Sequence, residues 1–354
     1  MSDNLELHLP DKAELRAFSF RALDGYDGEV VSGERARFDA AKSSMTEVAP
    51  RMATGSADII ADIDVCVCTF RRPHLRTTLA SIARQVVDSR TTIRIIVADN
   101  DERPSAQELV ETFARQNDLW LVYIHAPAGN ISRARNACLA AATAPFVAFI
   151  DDDEVASPQW LASLLDTQKK TGADAVLGPV RAVYRPECPA WLKDGDFHSS
   201  LPAFRGKKIT SGGTGNVLFK RASVQALRFR EDLGKSGGED TAYFHELVEA
   251  GCRIAFANEA LATEEVPKER ESFLWLLRRR FRFGETHGLL LLEATPNLLE
   301  TRIKNIPLAA CKMTLCLLMA LLSLLRAQSM RFWSLRGALH AGVTYRLVSH
   351  KQKR

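Results

Sequence analysis

Four consecutive acidic residues, Asp151, Asp152, Asp153 and Glu154, directly follow the short apolar segment 146–150. At the edge of a buried sheet, four adjacent carboxylates repel one another, and a bound divalent cation is the natural compensation. Mg²⁺ and Mn²⁺ prefer carboxylate and phosphate oxygens as ligands. The cluster therefore predicts a site for a metal ion and a phosphate group, and a solvated acidic turn is the alternative interpretation.

The segments around this cluster indicate a parallel sheet. Short apolar stretches alternate with helical patterns, which is typical of βαβ units with helices on both faces of the sheet. The apolar stretches span residues 63–69, 93–98, 121–124, 146–150 and 175–178. One of the helices is expected over 132–142, with Ser132 as its N-cap. Because ligands bind beyond the carboxyl ends of such strands, Thr69 and Asp99 are expected to meet the acidic cluster there.

Two common nucleotide-binding loops are missing from the sequence. The first predicted strand–helix turn, residues 69–73, contains no glycine, so the G-x-G-x-x-G fingerprint is absent. The chain also lacks a G-x-x-x-x-G-K-[ST] loop. A dehydrogenase with a dinucleotide cofactor is therefore excluded, and a P-loop kinase or ATPase is disfavoured.

Five motifs occur in an order and spacing that are specific together, although each is weak alone. They are DIDVCVCTFRRP at 62–73, VADN at 97–100, GNISRARN at 129–136, FIDDDE at 149–154 and GEDT at 238–241. Over roughly residues 60–285 the chain resembles the GT-A fold, family 2 glycosyltransferases, and within them bacterial exopolysaccharide glucosyltransferases of the succinoglycan type. The resemblance implies a mostly parallel α/β sheet with helices on both faces and a metal-dependent, inverting sugar transfer.

The resemblance also implies roles for individual residues. Asp153 is expected to bind Mg²⁺ or Mn²⁺, and Asp240 to be the general base. The residues expected to hold the donor nucleotide are Thr69, Phe70, Arg71, Asp99, Arg135, Asp151 and Asp152, with Asp99 accepting a hydrogen bond from the base. The candidates for the acceptor site or a closing loop are Trp191, Asn216, Glu239, Arg279 and Arg282.

Elementary chemistry agrees with these roles. A metal ion acting as a Lewis acid neutralises the charge on the departing phosphates. A placed carboxylate that removes a proton from a hydroxyl contributes on the order of 10²–10⁴-fold to the rate, and one base opposite the leaving group implies inversion. A structural role is the alternative for Glu239 and Asp240, because acidic residues in the first turn of a helix complement its dipole.

One departure from the family concerns a further metal ligand. Many relatives supply a histidine after the catalytic helix, but residues 262–267 contain none. Glu264 or Glu265 is expected to take its place, and solvated loop acids are the alternative. Among the acceptor candidates, Trp191 is equally compatible with a packing anchor, and the two arginines with an interfacial basic helix.

The C-terminal part of the chain combines positive charge with apolarity. Residues 301–354 contain ten Lys or Arg and no Asp or Glu, whereas the whole chain has a net charge of +4, so the remainder is −6. The uncharged run 313–325 would form about 20 Å of helix at ~1.5 Å per residue, short of the ~30 Å hydrocarbon core. This pattern predicts a helix in the membrane interface with its basic tail on anionic lipid. A membrane span and a buried core helix are the alternatives.

The combined hypothesis is an inverting glycosyltransferase that moves a hexose, with UDP-glucose as expected donor, to a lipid-linked oligosaccharide in exopolysaccharide or cell-surface polysaccharide synthesis. The expected partners are the nucleotide sugar, the lipid-linked acceptor, the anionic membrane surface and other polysaccharide-assembly enzymes, and no nucleic acid. A metal-dependent nucleotidyltransferase is one alternative. A non-catalytic, membrane-bound polysaccharide assembly protein is the other.

The sequence also predicts a cellular location and a division into domains. The seven cysteines lack the paired spacing of a zinc site, and they are expected to be reduced thiols. The first twenty residues do not have the pattern of a signal peptide. The expected location is the cytoplasmic face of the inner membrane. The expected division is an N-terminal extension without regular order (1–58), a GT-A domain (59–290) and basic, apolar membrane-associating helices (291–354).

Overall fold

Strands and helices alternate through most of the chain, as the apolar segments predict. The computed structural model describes residues 44–48, 62–205 and 208–349. The strands in these ranges are β1 (Ser44–Val48), β2 (Ile63–Thr69), β3 (Ile93–Asp99), β4 (Leu121–His125), β5 (Phe146–Ile150), β6 (Glu154–Ala156), β7 (Ala175–Leu177), β8 (Val180–Val183), β9 (Ala203–Arg205), β10 (Lys208–Ser211), β11 (Asn216–Lys220), β12 (Ile254–Phe256) and β13 (Ala262–Glu265). The α-helices are α1 (Leu75–Ala83), α2 (Gln107–Gln116), α3 (Ile131–Ala141), α4 (Trp160–Thr171), α5 (Ala190–Gly195), α6 (Arg221–Val224), α7 (Glu239–Glu249), α8 (Phe273–Glu293), α9 (Leu298–Leu322) and α10 (Ala327–Ser349).

The central sheet has eight strands in the order β1-β4-β3-β2-β5-β11-β7-β12. Strands β4, β3, β2 and β5 are parallel neighbours. Strand β11 is antiparallel to both β5 and β7, and β1 is antiparallel to β4. The predicted α/β class is therefore confirmed, in the form of a mixed sheet whose parallel half carries the first four predicted strands.

Both faces of the central sheet are covered, because successive side chains of a strand point to opposite faces. Val65 and Val67 of β2 pack with apolar residues of α1, α2 and α4. Cys66 and Cys68 point the other way and pack with residues of α3 and α7. Burial on both faces explains the nearly continuous apolar runs by which these strands are recognisable in the sequence.

A small sheet, in the order β6-β13-β8, lies next to the end of β5. Strand β13 runs antiparallel to β6, and their register places Glu264 opposite Glu154. The acidic run therefore does not stay in one turn, because Glu154 opens β6. These strands have three or four residues each and contain polar side chains, so no alternating apolar pattern marks them in the sequence.

Two local expectations differ from the structure. Helix α3 begins after Asn130, whose side chain accepts a hydrogen bond from the Arg133 amide, so the prediction of Ser132 as N-cap is wrong. The Ser132 hydroxyl instead donates to the Arg230 carbonyl at 2.7 Å. Strand β1 lies inside the predicted extension 1–58, and the rest of that extension falls outside the described residues.

Three long helices, α8, α9 and α10, follow the sheet domain. Helices α8 and α10 meet backbone to backbone, since a Cβ atom on Gly284 would lie well inside contact distance of the Leu339 carbonyl. Gly342 faces the Phe281 carbonyl in the same way. The predicted domain boundary at residue 290 lies within α8, so this one helix connects the sheet domain to the C-terminal helices.

The close approach of α8 and α10 leads to a testable prediction for the stability of the helical part. Gly284→Ala should lower the free energy of unfolding by about 1–3 kcal/mol, because the added methyl group forces the helices apart. Gly337→Ala is the matched control, since its Cβ would be 3.5 Å from its nearest neighbour, an ordinary contact. Urea unfolding followed by circular dichroism measures both. Equal midpoints for Gly284→Ala and the wild type would contradict the tight α8–α10 contact.

Helix α9 carries the apolar run noted in the sequence and is continuous through Pro307. Its length and composition are sufficient for a membrane span, and it is the one such helix among the described residues. A buried core helix is not what the structure shows, because much of its leucine surface is exposed. The exposed apolar residues on or just after α9 are Leu299, Ile303, Leu308, Leu315, Leu317, Leu318, Leu321, Leu322, Leu324 and Leu325.

Candidate active site

The acidic cluster lies at the carboxyl end of β5 and lines a cavity of about 680 Å³. Removal from water raises the pKa of Asp151 and Glu154, and it raises the pKa of Asp152 to about 7. Neighbouring carboxylates raise each of these pKa values further. The cavity wall therefore holds more negative charge than its protein surroundings stabilise.

Glu264 extends this negative wall from the opposite strand. It lines the cavity, and burial together with the charge of Asp153 raises its pKa. Its carboxylate also receives a hydrogen bond from Arg270 at 2.6 Å. Glu265, the other predicted substitute for a histidine ligand, has a side chain that is 76% exposed and faces His74. Of the two, only Glu264 is positioned beside the acidic cluster.

Arg135 joins the acidic cluster to the start of α7. Its buried guanidinium donates to Glu239 at 2.5 Å and lies 3.5 Å from an Asp151 oxygen. The second carboxylate oxygen of Glu239 is buried without a hydrogen-bond partner in the described part of the chain. The two acidic motifs, which are far apart in sequence, therefore share one cavity.

Asp240 lies in the first turn of α7 and lines the same cavity. Its Oδ1 accepts a hydrogen bond from the Thr241 amide at 2.7 Å. Its Oδ2 lies close to Gly213, since a Cβ built there would be 3.5 Å away. Burial, followed by the charge of Glu239, raises the pKa of Asp240 to about 6. A carboxylate with this pKa is ionised at neutral pH and can accept a proton.

The cavity suits a metal ion that arrives with a diphosphate. Among the described residues, no three His, Cys, Asp or Glu side chains converge as a ready-made metal site. Mg²⁺ is usually held by one or two carboxylates together with substrate phosphates. The excess of carboxylates with raised pKa values around Asp153 fits that mode, because a divalent cation would offset their mutual repulsion.

The predicted donor residues of the β2–α1 turn lie at the sheet edge. Thr69 is buried and donates to Asp152 at 2.7 Å. Arg71 has a positive φ of 55°, an uncommon conformation for a residue other than glycine, and binds both oxygens of Asp101 at 2.8 and 2.7 Å. Phe70 is exposed beside it. Neither Phe70 nor Arg71 is among the residues that line the cavity.

Asp99 is placed differently from its expected role as a partner of the base. It is fully buried, and both of its oxygens are engaged. They accept hydrogen bonds from the Asp101 amide at 3.0 Å, the Ala106 amide at 2.8 Å and the Tyr123 hydroxyl at 2.8 Å. The carboxylate therefore stabilises the turn between β3 and α2, because its charge is satisfied inside the protein.

Two acceptor candidates have structural contacts instead. Asn216 is buried, and its side chain accepts from the Trp160 indole at 2.7 Å and donates to two backbone carbonyls. Trp191 packs against Phe197 and Phe273, and the Arg331 guanidinium lies 4.7 Å from its ring centroid. Asn216 thus holds loops together at the cavity edge, and Trp191 is a packing anchor.

The two arginine candidates on α8 differ in their position relative to the cavity. Arg279 lines the cavity, whereas Arg282 is exposed outside it. Arg279 lies 5.3 Å from the ring centroid of Trp275, which also stacks on His198 at 5.5 Å. The Arg279 guanidinium therefore shares the cavity with the acidic cluster.

The structure adds three cavity residues that were not predicted from the sequence, namely Arg72, His198 and Arg270. Arg72 lies 3.4 Å from Asp153 and 3.7 Å from Asp152, and its place in the first motif could have indicated it. His198 lies in a loop and Arg270 ends a short 3₁₀ helix, Lys268–Arg270, and the two meet where the His198 Nε2 lies 3.1 Å from the Arg270 carbonyl oxygen, so no local pattern predicts them.

Comparisons with known proteins give one consistent result. The model of the family described as Glycosyl transferase family 2 matches residues 64–228. The succinoglycan biosynthesis protein ExoM of Rhizobium meliloti is 48% identical over 292 residues, which cover 82% of this chain and 94% of that protein. The glucosyl-dolichyl phosphate glucuronosyltransferase of Haloferax volcanii is 25% identical over 239 residues, or 62% of this chain and 74% of that protein.

A solved structure shares the fold. The mannosyltransferase PcManGT from Pyrobaculum calidifontis, determined in complex with GDP-Man and Mn²⁺, superposes with a TM-score of 0.56. It is 20% identical and covers 86% of this chain and 90% of that chain. At this level of identity the likeness shows the fold alone.

Proposed function

This chain belongs to glycosyltransferase family 2, and on that premise we propose that it transfers a hexose, with inversion, from a UDP-sugar to a lipid-linked oligosaccharide. Family membership makes it a GT-A glycosyltransferase, and neither a nucleotidyltransferase nor a non-catalytic assembly protein is supported. The observation that carries the proposal is the Arg135 bridge, which brings the acidic cluster and Asp240 into one cavity.

Donor binding is assigned to the acidic end of the cavity. Asp153, with Asp151 and Glu264 beside it, would hold Mg²⁺ or Mn²⁺, which supplies charge neutralisation for the departing diphosphate. Thr69 and Asp152 sit where the nucleotide would enter, at the carboxyl ends of β2 and β5. The PcManGT complex with GDP-Man and Mn²⁺ is a relative in which donor and metal occur together.

The transfer step is assigned to Asp240. Its ionised carboxylate removes the proton of the acceptor hydroxyl, and the hydroxyl oxygen forms the new bond to the anomeric carbon. The bond from that carbon to the phosphate oxygen breaks on the opposite face, and the diphosphate leaves with the electron pair. Asp240 ends the step protonated, and the sugar has inverted configuration. One base and no second nucleophile suffice for this scheme.

The acceptor and the location are inferred from similarity and from α9. ExoM is described as a succinoglycan biosynthesis protein, and we place this chain in exopolysaccharide synthesis by analogy. The exposed leucines of α9 and the basic C-terminal residues suit the interface of an anionic membrane. A lipid-linked acceptor at the cytoplasmic face would bring the hydroxyl to Asp240 from the bilayer.

The pH dependence of transfer follows from the raised pKa of Asp240. A general base must be ionised, so kcat/KM for the acceptor should rise with pH and level off above the pKa of about 6. At pH 5, one unit below that value, the rate should be about tenfold lower than at pH 8. Initial rates at saturating donor measure this profile. A rate that is constant from pH 5 to pH 8 would contradict the assignment.

The proposed function as a whole is tested by a donor screen. Purified protein is incubated with radiolabelled UDP-glucose, UDP-galactose, UDP-N-acetylglucosamine and GDP-mannose, with Mn²⁺ and membrane extract as acceptor. We expect one UDP-hexose to label a lipid-extractable product. The proposal would be contradicted if the label stayed on the nucleotide sugar or appeared only as free sugar. A labelled lipid product that forms only with GDP-mannose would contradict it as well.

A further inference from the structure

Two arginines contact the acidic residues around the proposed metal site. Arg72, in the turn between β2 and α1, lies 3.4 Å from an Asp153 oxygen and 3.7 Å from an Asp152 oxygen. Arg270 donates a hydrogen bond to Glu264 at 2.6 Å. Both arginines line the cavity, and the proposed transfer step gives neither of them a role. They are therefore candidates for a further part of the donor site.

The contact of Arg72 with the acidic cluster is loose. Both of its distances exceed the ~2.7–2.9 Å of a charge-assisted hydrogen bond. The side chain of Arg72 is also 40% exposed, whereas that of Arg135 is 7% exposed. An ion pair that is this open to water contributes little to stability. The guanidinium of Arg72 can therefore turn toward another anion with little loss of free energy.

Arg270 is held through its backbone as well as through its side chain. Its carbonyl oxygen lies 3.1 Å from Nε2 of His198. The guanidinium reaches Glu264 through one nitrogen, and its Cζ lies 5.8 Å from the ring centroid of Trp275. A contact through one nitrogen lacks the second hydrogen bond of a bidentate arginine–carboxylate pair. The side chain can therefore leave Glu264 while the backbone stays in place.

A divalent cation on the same carboxylates changes the balance for both arginines. Mg²⁺ takes carboxylate oxygens at about 2.0–2.1 Å, so its charge would lie closer to Asp153 and Glu264 than the guanidiniums do. Like charges at such short distances repel one another, and the arginines are then held less strongly by the carboxylates. A diphosphate offers them new partners, since the planar guanidinium matches phosphate oxygens in a bidentate contact.

We propose that Arg72 and Arg270 bind the diphosphate of the sugar donor, and that they become available to it when Asp153 and Glu264 take a divalent cation. This inference rests on the proposed function, since it presumes that metal site. The metal ion and the nucleotide then bind cooperatively. The metal ion weakens the hold of the carboxylates on the arginines, and the diphosphate in turn draws the arginines away from the carboxylates.

The test measures Mn²⁺ binding to the full chain, with and without UDP, from the electron paramagnetic resonance signal of unbound Mn²⁺. In the wild type we expect UDP to tighten Mn²⁺ binding by about tenfold or more. Thermodynamic linkage then requires Mn²⁺ to tighten UDP binding by the same factor, which calorimetry measures independently.

Arg72→Gln and Arg270→Gln test both roles of each arginine. Each variant should bind Mn²⁺ alone more tightly than the wild type, by about threefold or more, because a competing cation is gone. The tightening by UDP should fall by a similar factor, because a partner of the diphosphate is gone. Arg72→Lys keeps the charge and should bind Mn²⁺ alone as the wild type does. An arginine that only maintained the shape of the site would give weaker Mn²⁺ binding on replacement.

Arg71→Gln is the matched control. It removes the same charge from the same turn, at a residue that pairs with Asp101 and is not among those that line the cavity. Its Mn²⁺ affinity should stay within about twofold of the wild type, with and without UDP. A circular dichroism spectrum of each variant shows whether it is folded.

The proposal would be overturned if folded Arg72→Gln and Arg270→Gln both bound Mn²⁺ alone no more tightly than the wild type. Tighter binding of Mn²⁺ with an undiminished effect of UDP would overturn it as well, because the arginines would then not contact the diphosphate. So would an equal gain in Arg71→Gln, which would assign the effect to overall charge. A wild type that binds Mn²⁺ neither alone nor with UDP would instead contradict the proposed function.

Discussion

Replacing Asp240 by Asn is expected to lower the rate of sugar transfer by on the order of 10³-fold, within the range of a lost general base. The amide keeps the size of the carboxylate but cannot take the acceptor proton. Nucleotide affinity should remain within about threefold of the wild type, because Asp240 is assigned to the acceptor hydroxyl and not to the nucleotide. Transfer rates and calorimetry with UDP measure the two effects separately.

Glu246→Gln is the matched control for this variant. It makes the same chemical change on α7, at a residue that does not line the cavity, and should retain near-normal transfer. Near-normal turnover in Asp240→Asn would remove Asp240 from the role of base. Loss of UDP binding together with transfer would show that the residue maintains the site rather than acting on the acceptor.

Replacing Asp153 by Asn should have a comparably large effect, through a different step. The variant loses a charged ligand for the metal, and a Lewis-acid contribution of several kcal/mol corresponds to a factor of about 10²–10³ in rate. In the wild type, Mn²⁺ should tighten UDP binding, and in Asp153→Asn this tightening should disappear. Calorimetric titration of UDP with and without Mn²⁺ gives the comparison.

Asp166→Asn controls for the loss of one acidic charge. Asp166 is exposed on α4 and pairs with Lys170, so its replacement should leave the Mn²⁺ effect on UDP unchanged. UDP affinity in the wild type that does not depend on metal would argue against a metal site at the acidic cluster. The same conclusion would follow if Asp153→Asn retained the full Mn²⁺ effect.

The parallel half of the fold could be predicted because its strands are buried on both faces. A segment such as 63–69 is buried along its whole length and is apolar except for Asp64 and Thr69, and the helix that follows repeats apolar residues at helical spacing. Parallel neighbours then place the ends of β2, β3 and β5 at one edge. This is why the sequence leads correctly from Thr69, Asp99 and Asp151 to one region of the molecule.

The remaining features depend on contacts between distant segments. Asp99 ends β3 as expected, but Tyr123 and two backbone amides engage its carboxylate, and no periodic pattern reveals that. Glu264 approaches the acidic cluster only through the pairing of β6 with β13. The choice between Glu264 and Glu265, left open by the sequence, is a question of strand register, since neighbouring residues of a strand face opposite sides.

The acceptor side was least accessible to sequence reasoning. Trp191 and Asn216 have side chains suited to binding, yet both are held by internal contacts. The cavity residues on α7 and α8 instead have ordinary helical spacing, which equally predicts a packed core. Only the relative placement of these two helices shows that their facing sides line a cavity.

The central claim is a single displacement, driven by Asp240 on the sugar face opposite the metal-bound diphosphate. It is tested most directly by the anomeric configuration of the first product, read by proton NMR from a reaction with an α-linked UDP-hexose. The account predicts a β-glycosidic linkage. An α-linked product would mean that configuration is retained, and would contradict the role of Asp240 and the geometry of the whole site.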